Sequence, residues 1–151
     1  MATKPSKFNT FTFFKLPSAW WCGVRLKSID EKKAVTTVKH KWLNQNPFKS
    51  MFWAVQGMAA ELSTGAMVIS QIQQSGKKIS MLVANNNASF TKKATGRITF
   101  TCEDGHLIEN AIKKTIATGE GQTFWMKSVG VNADGVMVST FNFEWTIRLK
   151  K

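Results

Sequence analysis

The sequence predicts an α+β domain in which a curled antiparallel sheet wraps around one long apolar helix. Three observations carry this. Residues 46–74 have helical periodicity and almost no charge. Paired β-like segments lie on both sides of that stretch. The last of them has one strongly apolar face.

In chain order, Phe8, Phe11 and Phe14 have helix-like spacing, so residues 6–16 read as a short helix ending before Pro17. Val24 to Ile29 and Ala34 to Trp42 read as a hairpin around the polar turn 30–33. Asn46 and Pro47 then suit the cap and first position of the long helix. Its main face carries Phe48, Met51, Phe52, Val55, Ala59, Leu62, Ala66 and Ile69. Gly76 is its expected end. Glu61 is the only charge between Met51 and Gln74, so both sides of the helix should be covered.

Two strands follow, about 79–90 and 96–102, with Asn85-Asn86-Asn87 marking an expected bulge. Gly105 opens a second helix with the stripe Leu107, Ile108, Ala111, Ile112 and Ile116, and Gly119 stops it. Segments 122–131 and 136–149 form a closing hairpin through Asn132-Ala133-Asp134-Gly135. On the final strand Met137, Phe141, Phe143, Trp145, Ile147 and Leu149 form the apolar face. A curled sheet is what best buries a helix with so little charge.

The 151 residues suit a single domain, 1–151, with 43% hydrophobic content and six Trp and eleven Phe to fill it. No apolar run is long enough to span a membrane. The N-terminal stretch lacks the pattern of a secretory leader. Cys22 and Cys102 are too few for a disulfide framework and, with His40 and His106, show no metal-ligand spacing. Free thiols, and hence a reducing cytoplasm, are expected. The charge of +12 at pH 7 rests mostly on lysine. Lysine attracts phosphate as a point charge and reads bases poorly. That disfavours specific nucleic-acid binding and leaves a small phosphorylated ligand or a solvated basic surface.

Three phrases resemble the hot-dog superfamily, specifically a thioesterase-like branch related to phenylacetic-acid-type acyl-CoA thioesterases. They are Asn46-Pro47-Phe48-Lys49-Ser50-Met51-Phe52, Ala59-Ala60-Glu61-Leu62-Ser63-Thr64-Gly65 and Phe90-Thr91-Lys92-Lys93-Ala94-Thr95-Gly96. The resemblance spans residues 6–150. It implies a homodimer, often paired into a dimer of dimers, with shared sites at the seam. It also implies an acyl-CoA-like ligand and no separate cofactor or metal. A carboxylate on the central helix would act on the thioester as base or nucleophile, and a helix-start N–H would hold its oxygen. The family's His-Gly-Gly phrase is replaced here by Met51-Phe52-Trp53-Ala54. A non-catalytic binder of fatty acyl or other apolar ligands is therefore the alternative.

On this reading Glu61 is the candidate catalytic residue. It shares a stripe with Ala54, Gly57, Met58, Gly65 and Val68, where small residues leave room for a ligand or a second backbone. Burial there would raise its pKa. Its other role would be to pair across an interface. Asn46, Ser50, Phe52, Trp53 and Thr64 are the candidate substrate-binding residues, although Asn46 and Ser50 could simply cap and Thr64 could bond its own helix. Lys92, Lys93 and Arg97 form the candidate CoA-phosphate rim, with Lys77 and Lys78 as possible additions. The same cluster would serve equally to block edge aggregation.

Overall fold

The computed structural model describes residues 3–151. Two helices, α1 (Pro5–Lys15) and α2 (Pro17–Trp21), precede the hairpin β1 (Arg25–Ile29) and β2 (Ala34–Lys39). A 3-10 turn at Trp42–Asn44 leads to the long helix α3 (Trp53–Ser75). Then come β3 (Ile79–Phe90), β4 (Arg97–Cys102), α4 (Gly105–Thr118), β5 (Gln122–Val131) and β6 (Met137–Leu149). The strands form one six-stranded sheet in the order β1-β2-β4-β5-β6-β3. Every neighbouring pair is antiparallel. A curled antiparallel sheet around a single long helix is the hot-dog arrangement.

Three buried hydroxyl or indole contacts pin α3 to three strands. Thr36 Oγ1 on β2 donates to the Ala59 carbonyl at 2.6 Å. The hydroxyls of Ser63 and Ser128, on β5, lie 2.7 Å apart. Trp145 Nε1 on β6 donates to Thr64 Oγ1 at 2.9 Å. Between these ties the interface is apolar. Ala59, Ala66, Met67 and Val68 meet Val38, Ile98, Phe100, Met126 and Phe141 in one core. Apolar burial drives the association, while the polar ties satisfy groups that would otherwise be costly inside.

The structure departs from the sequence reading at several boundaries. The long helix begins at Trp53, not at Pro47. Asn46 Oδ1 accepts from the amides of Phe48 at 2.9 Å and Ser50 at 3.2 Å, closing a local loop that competes with helix. A bridge between Gln45 and Met51 seals this loop, and Lys49 turns it at φ 60°. Phe48 and Phe52 are thus exposed and lie outside the helix. The second strand ends at Lys39 because the buried Asn44 side chain donates to the carbonyls of Lys39 and Cys22, drawing the chain into the 3-10 turn. Residues 17–21 form a helix that the sequence reading left out: Pro17 ends one helix and serves as the start of the next. The bulge falls between Val83 and Asn85, just before the three asparagines. Met137 is exposed and Ser139 takes the buried position at that end of β6.

The first turn of α4 packs on the tip of the β1–β2 hairpin, backbone on backbone. A Cβ at Gly105 would collide with the Glu31 carbonyl oxygen and with Lys32 Cα. Gly105→Ala is therefore expected to lower unfolding stability by about 1–3 kcal/mol, the usual cost of overpacking. Gly119→Ala, at a helix end with open space around it but a φ of 72°, should cost about 1 kcal/mol through backbone strain alone. Denaturant titration of the two variants checks the order.

Candidate active site

Glu61 sits mid-way along α3, flanked one turn away on each side by Gly57 and Gly65. Both glycines let β6 come close. A Cβ on Gly57 would lie 3.4 Å from Phe141 Cε1. One on Gly65 would lie 3.1 Å from Trp145 Cζ2 and 3.3 Å from Glu61 Oε1. The carboxylate therefore lies beside the indole of Trp145, over a row that includes the stacked rings of Phe141 and Phe143, with centroids 6.0 Å apart. Its side chain has neither a hydrogen bond nor an ion pair among the described residues. The two ion pairs found there, Lys33–Glu103 and Lys113–Glu109, are elsewhere. Desolvation by this surrounding pushes the carboxyl up to about 7. A group poised there exchanges a proton near neutral pH, which is what a general base requires.

Thr64 is sealed from solvent. Its hydroxyl donates to the Glu61 carbonyl at 2.8 Å and accepts from the Trp145 indole. Its bonds thus hold the Glu61 turn against β6, and no proton is left over for a ligand. Asn46 and Ser50 engage each other: Asn46 Nδ2 lies 3.0 Å from Ser50 Oγ, and Ser50 is buried. Their contacts shape the loop before α3. Phe52 and Trp53 stand exposed at the helix start, their rings edge to face at 6.0 Å. No side chain caps that end. Val55 and Gln56 donate to the Phe52 carbonyl, which among the described residues leaves the Trp53 and Ala54 amides free at the positive end of the helix dipole.

Lys92 and Lys93 lie on the β3–β4 connection, which runs alongside this loop. Lys93 Nζ donates to the Phe48 carbonyl at 3.2 Å, and the Met51 amide donates to the Ala94 carbonyl at 2.8 Å. Arg97 reaches Thr37 Oγ1 at 3.4 Å. The fold thus gathers Lys92, Lys93, Asn46, Ser50, Phe52 and Trp53 at one end of α3. Lys77 and Lys78 follow its other end, ~33 Å away along a helix of this length, and do not join that cluster. Cys102 is buried, with its thiol pushed up to about 12 by desolvation, so it is unreactive. Among the described residues no group of His, Cys, Asp and Glu could hold a metal ion. No helix is long and apolar enough to cross a membrane.

Two members of the site escaped the sequence reading. Trp145 appeared only as one residue of an apolar strand face, and Gly65 only as a small neighbour. The eight-residue spacing of Gly57 and Gly65 around a lone carboxylate was the available signal.

The model of the family described as "Domain of unknown function (DUF4442)" matches residues 5–147. The chain belongs to the DUF4442 family. No curated protein matches this DUF4442 chain in sequence. Solved structures match it in fold. A Pseudomonas aeruginosa protein of unknown function, described as a probable thioesterase, is 15% identical over 97% of both chains with a TM-score of 0.82. A protein of unknown function from Chlorobaculum tepidum TLS is 18% identical over 97% of this chain and 94% of that one, also at 0.82. A thioesterase from Haemophilus influenzae is 11% identical over 99% and 93%, at 0.76. At these identities the likeness shows the hot-dog fold.

The raised carboxyl has a thermodynamic signature. Its folded pKa of about 7 exceeds the ordinary 4.5, so the folded state binds the proton more tightly than the unfolded chain. The resulting stability is fully present below about pH 4.5 and is lost as pH rises through about 7. Relative to Glu61→Gln, the native DUF4442 protein should lose up to about 3 kcal/mol between pH 4.5 and pH 8. Chemical denaturation of both proteins at the two pH values measures this difference.

Proposed function

We propose that this protein hydrolyses an acyl thioester carried by coenzyme A, with Glu61 as the base. The observation that carries the reading is an unpaired carboxylate, poised near neutrality, against an aromatic wall at the centre of the helix. The Glu61 carboxylate takes a proton from water, and the hydroxide adds to the thioester carbonyl carbon. The tetrahedral oxyanion collapses, the C–S bond breaks, and the CoA sulfur leaves with the proton that Glu61 held. The free amides at the start of α3 are suited to the oxyanion. The likeness in fold to proteins described as thioesterases supports the same chemistry.

Glu61 lies eight residues beyond Trp53, ~12 Å along the helix. One carbonyl can touch both a Glu61 carboxylate and an α3 start only if the two come from different copies. The outer edge of β3 is unpaired over twelve residues, with Leu82 and Phe90 exposed along it, and offers the place for such a copy to add. A homodimer joined there would complete the site. Light scattering at micromolar concentration should give at least twice the 16.9 kDa chain mass, and a monomer would remove the shared site.

Glu61→Gln keeps shape and removes the base. Acyl-CoA turnover should fall about 10²- to 10⁴-fold. The wild-type rate should rise with pH through about 7 as the carboxylate forms. Turnover that survives within a few-fold would make Glu61 non-catalytic. No turnover by the wild type on any acyl-CoA, with acyl ligand still bound, would favour the non-catalytic binder. The crowding of the helix start by Phe52 and Trp53 is the feature on that side.

Lys92 and Lys93 are exposed beside the loop that precedes α3, and Arg97 is exposed at the start of β4; in this reading the three hold the CoA phosphates. Replacing all three by Gln should raise KM for an acyl-CoA by about 10-fold and leave a pantetheine thioester nearly unchanged. The gap should narrow with salt because exposed charges are screened. Equal losses on both substrates would remove the cluster from the nucleotide.

A further inference from the structure

We infer that the N-terminal corner of this protein is a docking surface for an anionic lipid bilayer. The corner is built from α1, α2 and the 3-10 turn, and the proposed thioester chemistry leaves all three unused. Its aromatic residues are not there to fill the core. Of the phenylalanines on α1, only Phe8 is buried. On the outward stripe Lys7, Phe11 and Phe14 recur at i, i+4 and i+7, so apolar rings and a cation share one exposed face. Phe14 is 71% exposed and Trp21 59%.

The rings form a continuous, ordered ladder. Phe14 meets Phe13 edge to face at 4.9 Å, Phe13 meets Trp20 at 4.8 Å, and Trp20 meets Trp21 at 5.3 Å. Arg25 stacks over Trp20 at 4.0 Å and fixes its plane. The 3-10 turn is tied to the same corner by the Asn44 side chain, which donates to the Cys22 carbonyl at 2.9 Å. It presents Trp42, 81% exposed, and the exposed Leu43. Rigid, amphipathic tryptophan rings beside apolar side chains are the composition that settles at a lipid headgroup boundary.

Charge selects the occupant. Lys4, Lys7, Lys15, Arg25 and Lys27 precede the first acidic residue, Asp30, and Lys39 and Lys41 lead into the exposed turn. None of these cations is in an ion pair among the described residues. A second copy docking through this corner by a two-fold axis would bring the same lysines face to face, which disfavours self-association there. Nucleic acid needs open ring faces for bases to stack on. Here the Phe13, Phe14, Trp20 and Trp21 rings are packed edge to face on one another, one face of Trp20 is taken by Arg25, and the open ring of Trp42 stands apart from that ladder, which gives no run of platforms for successive bases. An anionic bilayer satisfies both features: lipid phosphates meet the lysines and the acyl boundary receives the protruding rings.

The test uses the full chain with vesicles of phosphatidylcholine alone, or with 30–40% phosphatidylglycerol, roughly the anionic content at which surface charge attracts basic segments. Flotation should recover the protein with the anionic vesicles and at least ten times less with neutral ones. Lipids brominated on the acyl chain should quench part of its tryptophan fluorescence. Phe14→Ser with Trp21→Ser should reduce the quenching to the part that Trp42 gives while the unfolding midpoint stays put, because both side chains are exposed. Lys4→Gln, Lys7→Gln and Lys15→Gln together should weaken binding about 100-fold, at roughly 5-fold per lysine, and leave the fold untouched even if the aromatic variant proves unstable. No flotation with anionic vesicles overturns the proposal. So does flotation without acyl-chain quenching that single-stranded DNA competes away, which assigns the face to nucleic acid. A mass that halves in the aromatic variant would assign it to a second copy and overturns the proposal as well.

Discussion

Covering α3 is the constraint on which the rest of the structure depends. The helix has 23 residues and a single charge, and more than half of its residues are buried. Water cannot solvate such a surface favourably, so strands must reach most of the way round it. An antiparallel sheet does this by twisting and curling, and β2, β5 and β6 each contribute one polar tie to the helix backbone or side chains. α4 closes one end, through Gln71 Nε2 bonded to the Gly105 carbonyl at 3.0 Å. The tight packing of Gly105 on the hairpin tip follows from the same closure.

That covering also makes the chemistry of Glu61. A carboxylate on an exposed helix would titrate near its ordinary value. Here β6 comes close enough, through Gly57 and Gly65, to replace water with ring edges. Trp145 takes part twice. Its indole N–H holds Thr64, which in turn bonds the Glu61 carbonyl, and its ring borders the carboxylate. Trp145 thus both holds the turn that carries the acid and borders its carboxylate, and it belongs to the interface that holds the fold together.

The positive charge has a different logic. With 21 basic and 9 acidic residues, and two ion pairs among the described residues, most cations face solvent. Ion pairs of that kind add little stability. The cost of the resulting self-repulsion points to use rather than to folding. The cations are also placed unevenly. One group lies beside the start of α3 and another around the aromatic N-terminal corner. Two faces of one small domain thus carry charge suited to phosphate.

The sequence by itself determined an antiparallel sheet curled around one long helix, the order of its six strands and the singular position of Glu61. These depend on local periodicity and on the near absence of charge, which short-range physics reads directly. It did not determine where α3 begins. Asn46, Pro47 and Ser50 look like a helix start in one dimension. The Asn46 side chain instead closes a loop that the β3–β4 connection holds from outside, by the Met51–Ala94 bond. Nor could it show that Thr64 is spent on Trp145, since 81 residues separate them. Only the tertiary structure decided these points, because each depends on a partner that folding alone brings within reach. Periodicity along a chain encodes which face is apolar, but not which distant side chain that face will meet.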